Sequence, residues 1–372
     1  LKIDLTANRT RNRSREIQYM FEGMPDTRSG NFSMSIISIG SAFERPSAGD
    51  GYHSGTFERF RRNLDVIRDR VESQFLGAQY PQGSTLAGKT FDPANGTISK
   101  HSPDVMIPAF LAAYTGKSAR NSALDFFPSL FSMMPNWRIT YTGLTKIAWF
   151  KKNFRSVNLN HAYRSTYSVG SYNTFQSFMS YMGDIGFVED VQSGNPIPSS
   201  RFDISMVSIN EQFSPLIGMD ATLKNGLTAK VEYKTSRILN LSMSACQLVE
   251  TASRDFVIGL GYKIVNFNLF SARNVKDSKN RVSHDLALRA DISFRNQSAL
   301  CRDIQQGFAQ ATNGNKALKI SCSADYTLSR LLTLRLYYDR QQNTPLVSSS
   351  SYPVVSADFG FCLLYTSPSP RD

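Results

Sequence analysis

Between Ser200 and Phe270 apolar side chains return at every second position, and this periodicity most limits how the chain can fold. Leu227, Ala229, Val231 and Tyr233 fall on one face, and Thr228, Lys230, Glu232 and Lys234 on the other. After Ser236 and Arg237 the pattern restarts with Leu239, Leu241, Met243 and Ala245, and again with Ile258, Leu260, Tyr262 and Ile264. Side chains alternate across a strand, so these segments are two-faced strands with one greasy side. Repeated at this length between turn residues, they form the pattern of a transmembrane β-barrel wall. A mean hydropathy of −0.29 is too polar for a helical membrane protein, and no run of about 18 apolar residues occurs. Barrels escape that test because only alternate residues face lipid.

The same alternation predicts strands elsewhere. Ile3, Leu5 and Ala7 share a face; Ile17, Tyr19 and Phe21 follow what reads as a charged turn, RTRNRSR; Phe32 to Phe43 reads as a third strand, with a change of phase at Ile36-Ile37 that marks a bulge. Trp137 to Thr142 and Val157 to Tyr163 continue the series, whereas Ser168 to Ser200 reads as loop. Strands are also expected around Leu286–Phe294, Leu318–Tyr326, Leu332–Tyr338 and Val355–Phe361. Residues 44–135 differ in kind. Phe57, Phe60, Leu64, Ile67, Val71 and Phe75 recur at helical spacing, which predicts an amphipathic helix capped by Thr56. A second short helix is expected over Asp104 to Tyr114. The domain plan is therefore barrel strands over 1–43, a mixed helix and loop insertion over 44–135 that caps or gates a pore, and barrel strands over 136–361.

Residues 362–372, CLLYTSPSPRD, back-translate to a transposase sequencing adapter and are read as non-native; Pro368 and Pro370 argue against a strand there. The chain opens at Leu1 with no signal-peptide core, so it reads as a piece of a longer protein.

Chemistry-bearing motifs are few. Gly83–Thr90 fits the phosphate-loop pattern by letter, but a helix precedes it and Phe91-Asp92-Pro93 follows, so nucleotide binding is not expected. Gly259-Leu260-Gly261 lies within an alternating strand and reads as space left in a lumen. His161 reads as a hydrogen-bonded wall residue, and Glu211 as a carboxylate for a lumenal Arg or Lys. Four cysteines occur without a CxxC pair; a Cys301–Cys322 bridge is allowed by sequence, with buried free thiols the favoured state. No catalytic, cofactor-binding or metal-ligating residue is assigned, no cofactor is expected, and the chain does not read as an enzyme. The net charge of +12 comes without a nucleic-acid-binding motif; it suits loops near anionic lipid headgroups, and no nucleic-acid partner is expected.

The segments NEQFSPLIGMDATLKNGLTAKVEYKTSRILNLSMS and FVIGLGYKI, with PNWRITYTGL and WFKKNFRSVNLNHAYRSTYSVGSYNTF upstream, resemble the C-terminal part of the SprA/Sov family. The likeness covers most of Leu1 to Phe361. It implies an all-β membrane fold: the antiparallel arc of a transmembrane β-barrel that, complete, is very large. It further implies a protein-conducting channel of the cell outer membrane, the translocon of the Bacteroidota type IX secretion system, linked also to gliding motility. Implied partners are secreted cargo proteins with type IX C-terminal signal domains, a PorV-type shuttle protein, a plug protein, and lipid or lipopolysaccharide. Cargo is expected to leave through a lateral opening. A porin or TonB-dependent receptor barrel is the alternative; an outer-membrane lipase using His161 and a soluble β-sandwich adhesin are further rivals.

Overall fold

A computed structural model describes residues 1–17, 27–267, 284–329, 331–347 and 352–365. In chain order the elements are β1 (Lys2–Thr6), β2 (Arg9–Glu16), β3 (Thr27–Ser35), α1 (Gly55–Ser73), α2 (Pro103–Tyr114), β4 (Asn136–Tyr141), α3 (Ala148–Asn153), β5 (Phe154–Thr174), β6 (Met179–Met182), β7 (Ile185–Glu189), β8 (Pro196–Ser200), β9 (Phe202–Asp203), β10 (Met206–Leu223), β11 (Leu227–Ser242), β12 (Gln247–Ile264), β13 (Leu286–Asp303), β14 (Ala309–Thr327), β15 (Leu332–Pro345) and β16 (Val354–Tyr365).

The alternating segments build one antiparallel sheet of 13 strands, ordered β1-β4-β5-β10-β11-β12-β13-β14-β15-β16, with β2, β3 and β9 branching from it. The sheet is not closed. Neighbouring long strands follow one another in sequence order from β10 onward, the order of an antiparallel meander. Strands β10, β12 and β13 each run 18 residues, β14 runs 19 and β5 runs 21. A tilted strand crosses a bilayer in about 9–11 residues.

One strand of the sheet is split. The chain from β1 into β2 pairs first with β4 and then with β3, and residues 36–135 leave the sheet between the ends of those two partners. Side chains repair the ladder at the exit. The Ser35 hydroxyl accepts from Asn8 N–H at 3.0 Å and from the Asn136 amide at 3.2 Å, while Asn136 Oδ1 accepts from Ser165 N–H at 2.8 Å.

The excursion folds on α1. Ser54 caps it, its hydroxyl accepting from Phe57 N–H at 3.1 Å; the expected cap Thr56 lies inside the helix and bonds Glu44 instead. The face predicted from spacing is buried: Phe57, Phe60, Leu64, Ile67 and Val71 pack against α2 and the sheet. Helix α2 is apolar on all sides and buried on all sides, with α1 on one flank. A second sheet, β6-β7-β8, joins this unit: Phe187 sits at ring-centroid distances of 5.4 Å from Phe75 and 5.3 Å from Tyr80. The inserted unit thus draws on residues beyond 44–135.

Several sequence expectations need correction. The run Arg9–Arg15 is strand β2, not a turn; Tyr19 and Phe21 lie outside the described residues. β3 ends at Ser35, short of Phe43. Residues 168–174 belong to β5, and β6 to β8 replace the expected loop. The last strand continues through Cys362 to Tyr365, where Leu363 pairs with Leu334; Pro368 and Pro370 lie outside the described residues. Among the described residues no helix is long and apolar enough to cross a membrane.

Candidate functional surface

Residues directly opposed in an antiparallel ladder project on the same side of the sheet, so the register sorts every side chain onto a face. One face carries apolar rows. Ala229, Leu260, Ala290, Cys322, Tyr338 and Phe359 form one row; Val231, Ile258, Ile292 and Ile320 the next, which meets Arg340 on β15; Tyr233, Phe256, Phe294 and Leu318 a third, which meets Gln342 there. The belt continues through Ile217, Met219 and Leu159 to Ile139 and Ile3. It is largely uncovered: Ile217 is 67% exposed, Leu260 47% and Phe359 77%. Phe256 to Ile264 measures about 27 Å along the strand at about 3.4 Å per residue, which at a tilt of about 40° is a height of about 21 Å, somewhat short of the about 25 Å of a lipid-facing barrel band. Trp137, Tyr163, Phe213, Phe256 and Phe294 crowd one rim of the belt, Tyr163 and Phe213 buried there and Phe256 and Phe294 exposed.

The opposite face is polar at the same height. Asp220, Lys230, Gly259, Asp291, Ser321 and Asp339 are successive neighbours across it. Its charges pair with one another: Lys234 with Glu232 at 2.8 Å, Arg295 with Asp255 at 2.8 Å, and Arg335 with Asp325 at 2.6 Å. Gly259 and Gly261 make room on this face. A Cβ at Gly259 would meet Asp291 Oδ1 at 2.6 Å, and one at Gly261 would meet Thr228 Oγ1 at 2.6 Å.

Beyond the aromatic rim the belt face is covered, and what covers it is the inserted unit. Leu239, Leu241, Leu248 and Ile304 join its core. Three arginines on adjacent strands hold it down, each donating to a backbone carbonyl: Arg237 to Ser41 O at 2.7 Å, Arg254 to Glu44 O at 3.1 Å, and Arg302 to Tyr52 O at 2.6 Å. Two are neutralised in place. Arg237 Nη2 reaches Glu211 Oε2 at 2.7 Å, and Arg302 Nη2 reaches Glu250 Oε2 at 3.1 Å. Glu211 is buried to 1% exposure, and its other oxygen accepts from the Ser38 and Tyr163 hydroxyls at 2.8 Å each. From the other side Arg61 donates to Ile304 O at 3.1 Å.

Glu211 meets an arginine, as its carboxylate suggested, but buried beneath the insertion and not in a lumen. The 44–135 insertion packs on the side of the sheet that carries the apolar belt. His161 is a wall residue whose Nδ1 lies 2.7 Å from Leu216 O, between the rings of Trp137 and Phe213. Gly83–Thr90 forms a loop closed by the Gln79–Thr90 bridge, and its Gly88 and Lys89 amides are already bonded to Tyr80 O and Leu86 O, so no phosphate cradle is presented. Cys301 and Cys322 project on opposite faces and cannot bridge; neither is buried. Among the described residues no three His, Cys, Asp or Glu side chains converge as metal ligands. The three anchoring arginines escape a sequence reading, because an arginine between apolar segments looks like a break. No protein-family model matches the chain, and no curated protein does so either.

Proposed function

We propose that the chain is part of the wall of a very large outer-membrane β-barrel serving as a protein-conducting channel, the role that the SprA/Sov resemblance implies. The observation that carries this reading is the belt: a largely uncovered apolar band to which ten paired strands contribute, interrupted on β15 by Arg340 and Gln342 and covered at Val157 and Ala221, and backed at the same height by a polar, charge-paired face. A soluble sandwich would cover that band with a second sheet, and among the described residues none does so.

The outer edges of β1 and β16 carry no partner strand among the described residues. Bare backbone groups cannot be satisfied by lipid, so the wall needs further strands to close, and ten strands are only an arc of the result. The isolated segment is therefore expected not to insert stably into a bilayer. On this reading the polar face lines the conduit. The inserted unit stands outside the wall, above the lipid, on strands longer than the bilayer requires. Long excursions belong to the cell-surface side of outer-membrane barrels, which sets the orientation. Cargo with type IX signal domains, a PorV-type shuttle and a plug protein are the partners of such a channel.

A photo-cross-linking residue placed in the full-length protein tests this in secreting cells. At Ser321, on the polar face, it should capture cargo; at Ile320, on the belt, it should capture none. Equal capture at both positions contradicts the channel reading.

A further inference from the structure

Where the inserted unit overhangs the belt, a cavity of about 400 Å³ opens between residues 42–52 and the strands. Arg254, Asn296 and Lys316 are directly opposed on β12, β13 and β14 and line it. The next row toward the belt is Phe256, Phe294 and Leu318. Two basic side chains thus sit on the apolar side of the wall, one row above its aromatic rim.

Their charge is not matched. The nearby carboxylates are engaged elsewhere: Glu44 by Ser54 and Thr56, Glu250 by Arg302, and Glu211 by Arg237. Among the described residues neither Arg254 nor Lys316 has a carboxylate within ion-pair distance, and Arg254 spends only one donor, on Glu44 O. Asn296 Oδ1 is buried without a hydrogen-bond partner, a state that costs free energy unless a ligand supplies one. We propose that this cavity holds the phosphate of a lipid headgroup, with the acyl chains lying on the belt below. A guanidinium fork and an ammonium flanking an amide suit a phosphate, with the amide oxygen accepting from a neighbouring hydroxyl of the headgroup. A lipid, rather than a free anion, is favoured because the site adjoins the belt; the inference rests on the belt's meeting lipid.

Full-length protein purified in mild detergent provides the test, with lipid A as probe and bound lipid counted by native mass spectrometry. Lys316→Gln, which removes no hydrogen bond or ion pair, should weaken retention about tenfold, and Lys316→Gln with Arg254→Gln further. Dephosphorylated lipid A should not compete, and inorganic phosphate at equal concentration should not displace the lipid. Unchanged retention in both variants, or displacement by inorganic phosphate, overturns the inference. A spin label at Ile292 separates the two readings: hydrocarbon at the label with unchanged retention removes only the phosphate site, whereas water at the label removes both.

Discussion

Arg237 and Glu211 meet at 2.7 Å between the sheet and the inserted unit, with the Tyr114 ring 5.8 Å from the guanidinium. Neither charge reaches water to any extent. Arg237→Met strands a buried carboxylate, and such a loss costs about 3–5 kcal/mol. Limited proteolysis of the full-length protein should then cut within residues 36–135. Joining Arg237→Met to Glu211→Leu should restore most of the resistance, because two apolar side chains leave no charge unpaired.

Asp104 gives the inserted unit a pH dependence. Burial pushes its carboxyl upward, partly offset by hydrogen bonds from Ser200 and Ser199. The folded state therefore holds the proton more tightly than the unfolded chain, whose aspartate titrates near about 3.9. The favourable contribution is complete below that value and is lost as pH rises through the higher folded value. Melting followed from pH 4 upward should show the wild type losing stability in that window. Asp104→Asn should flatten the slope and match or exceed the wild type at neutral pH.

The belt and the polar face should tolerate charge unequally. On the proposed barrel reading, Ile292→Arg puts a cation against hydrocarbon and should cost about 2–4 kcal/mol. Ser293→Arg, one residue on, turns the same charge to the polar side. Heat-modifiable mobility of the full-length protein in outer-membrane fractions should show the first variant poorly assembled and the second normal.

Alternation made most of the large sheet legible, since Leu227 to Ile264 needed only a period of two. The inserted helix was legible for the same kind of reason, its apolar residues keeping a period of 3.6. Arg9–Glu16 was not, because this strand has no apolar face: Arg11 lies over the Phe127 ring at 4.1 Å and Arg9 over Phe32 at 5.0 Å, so cations cover the rings that a hydrophobic pattern would supply. The side taken by the insertion was present in the sequence but unread. Tyr233, Arg237 and Leu239 share one parity, and β11 is a single strand of 16 residues. An apolar face longer than a bilayer requires must be covered by something else, and Arg237 marks where that cover begins.

Paired spin labels at Ile292 and Ser293, in the full-length protein reconstituted in bilayers, test the account most directly. Adjacent residues of β13 project from opposite faces, so oxygen should relax the label at 292 and a water-soluble nickel chelate the label at 293. If both labels respond to the same reagent, the sheet does not separate lipid from an aqueous conduit.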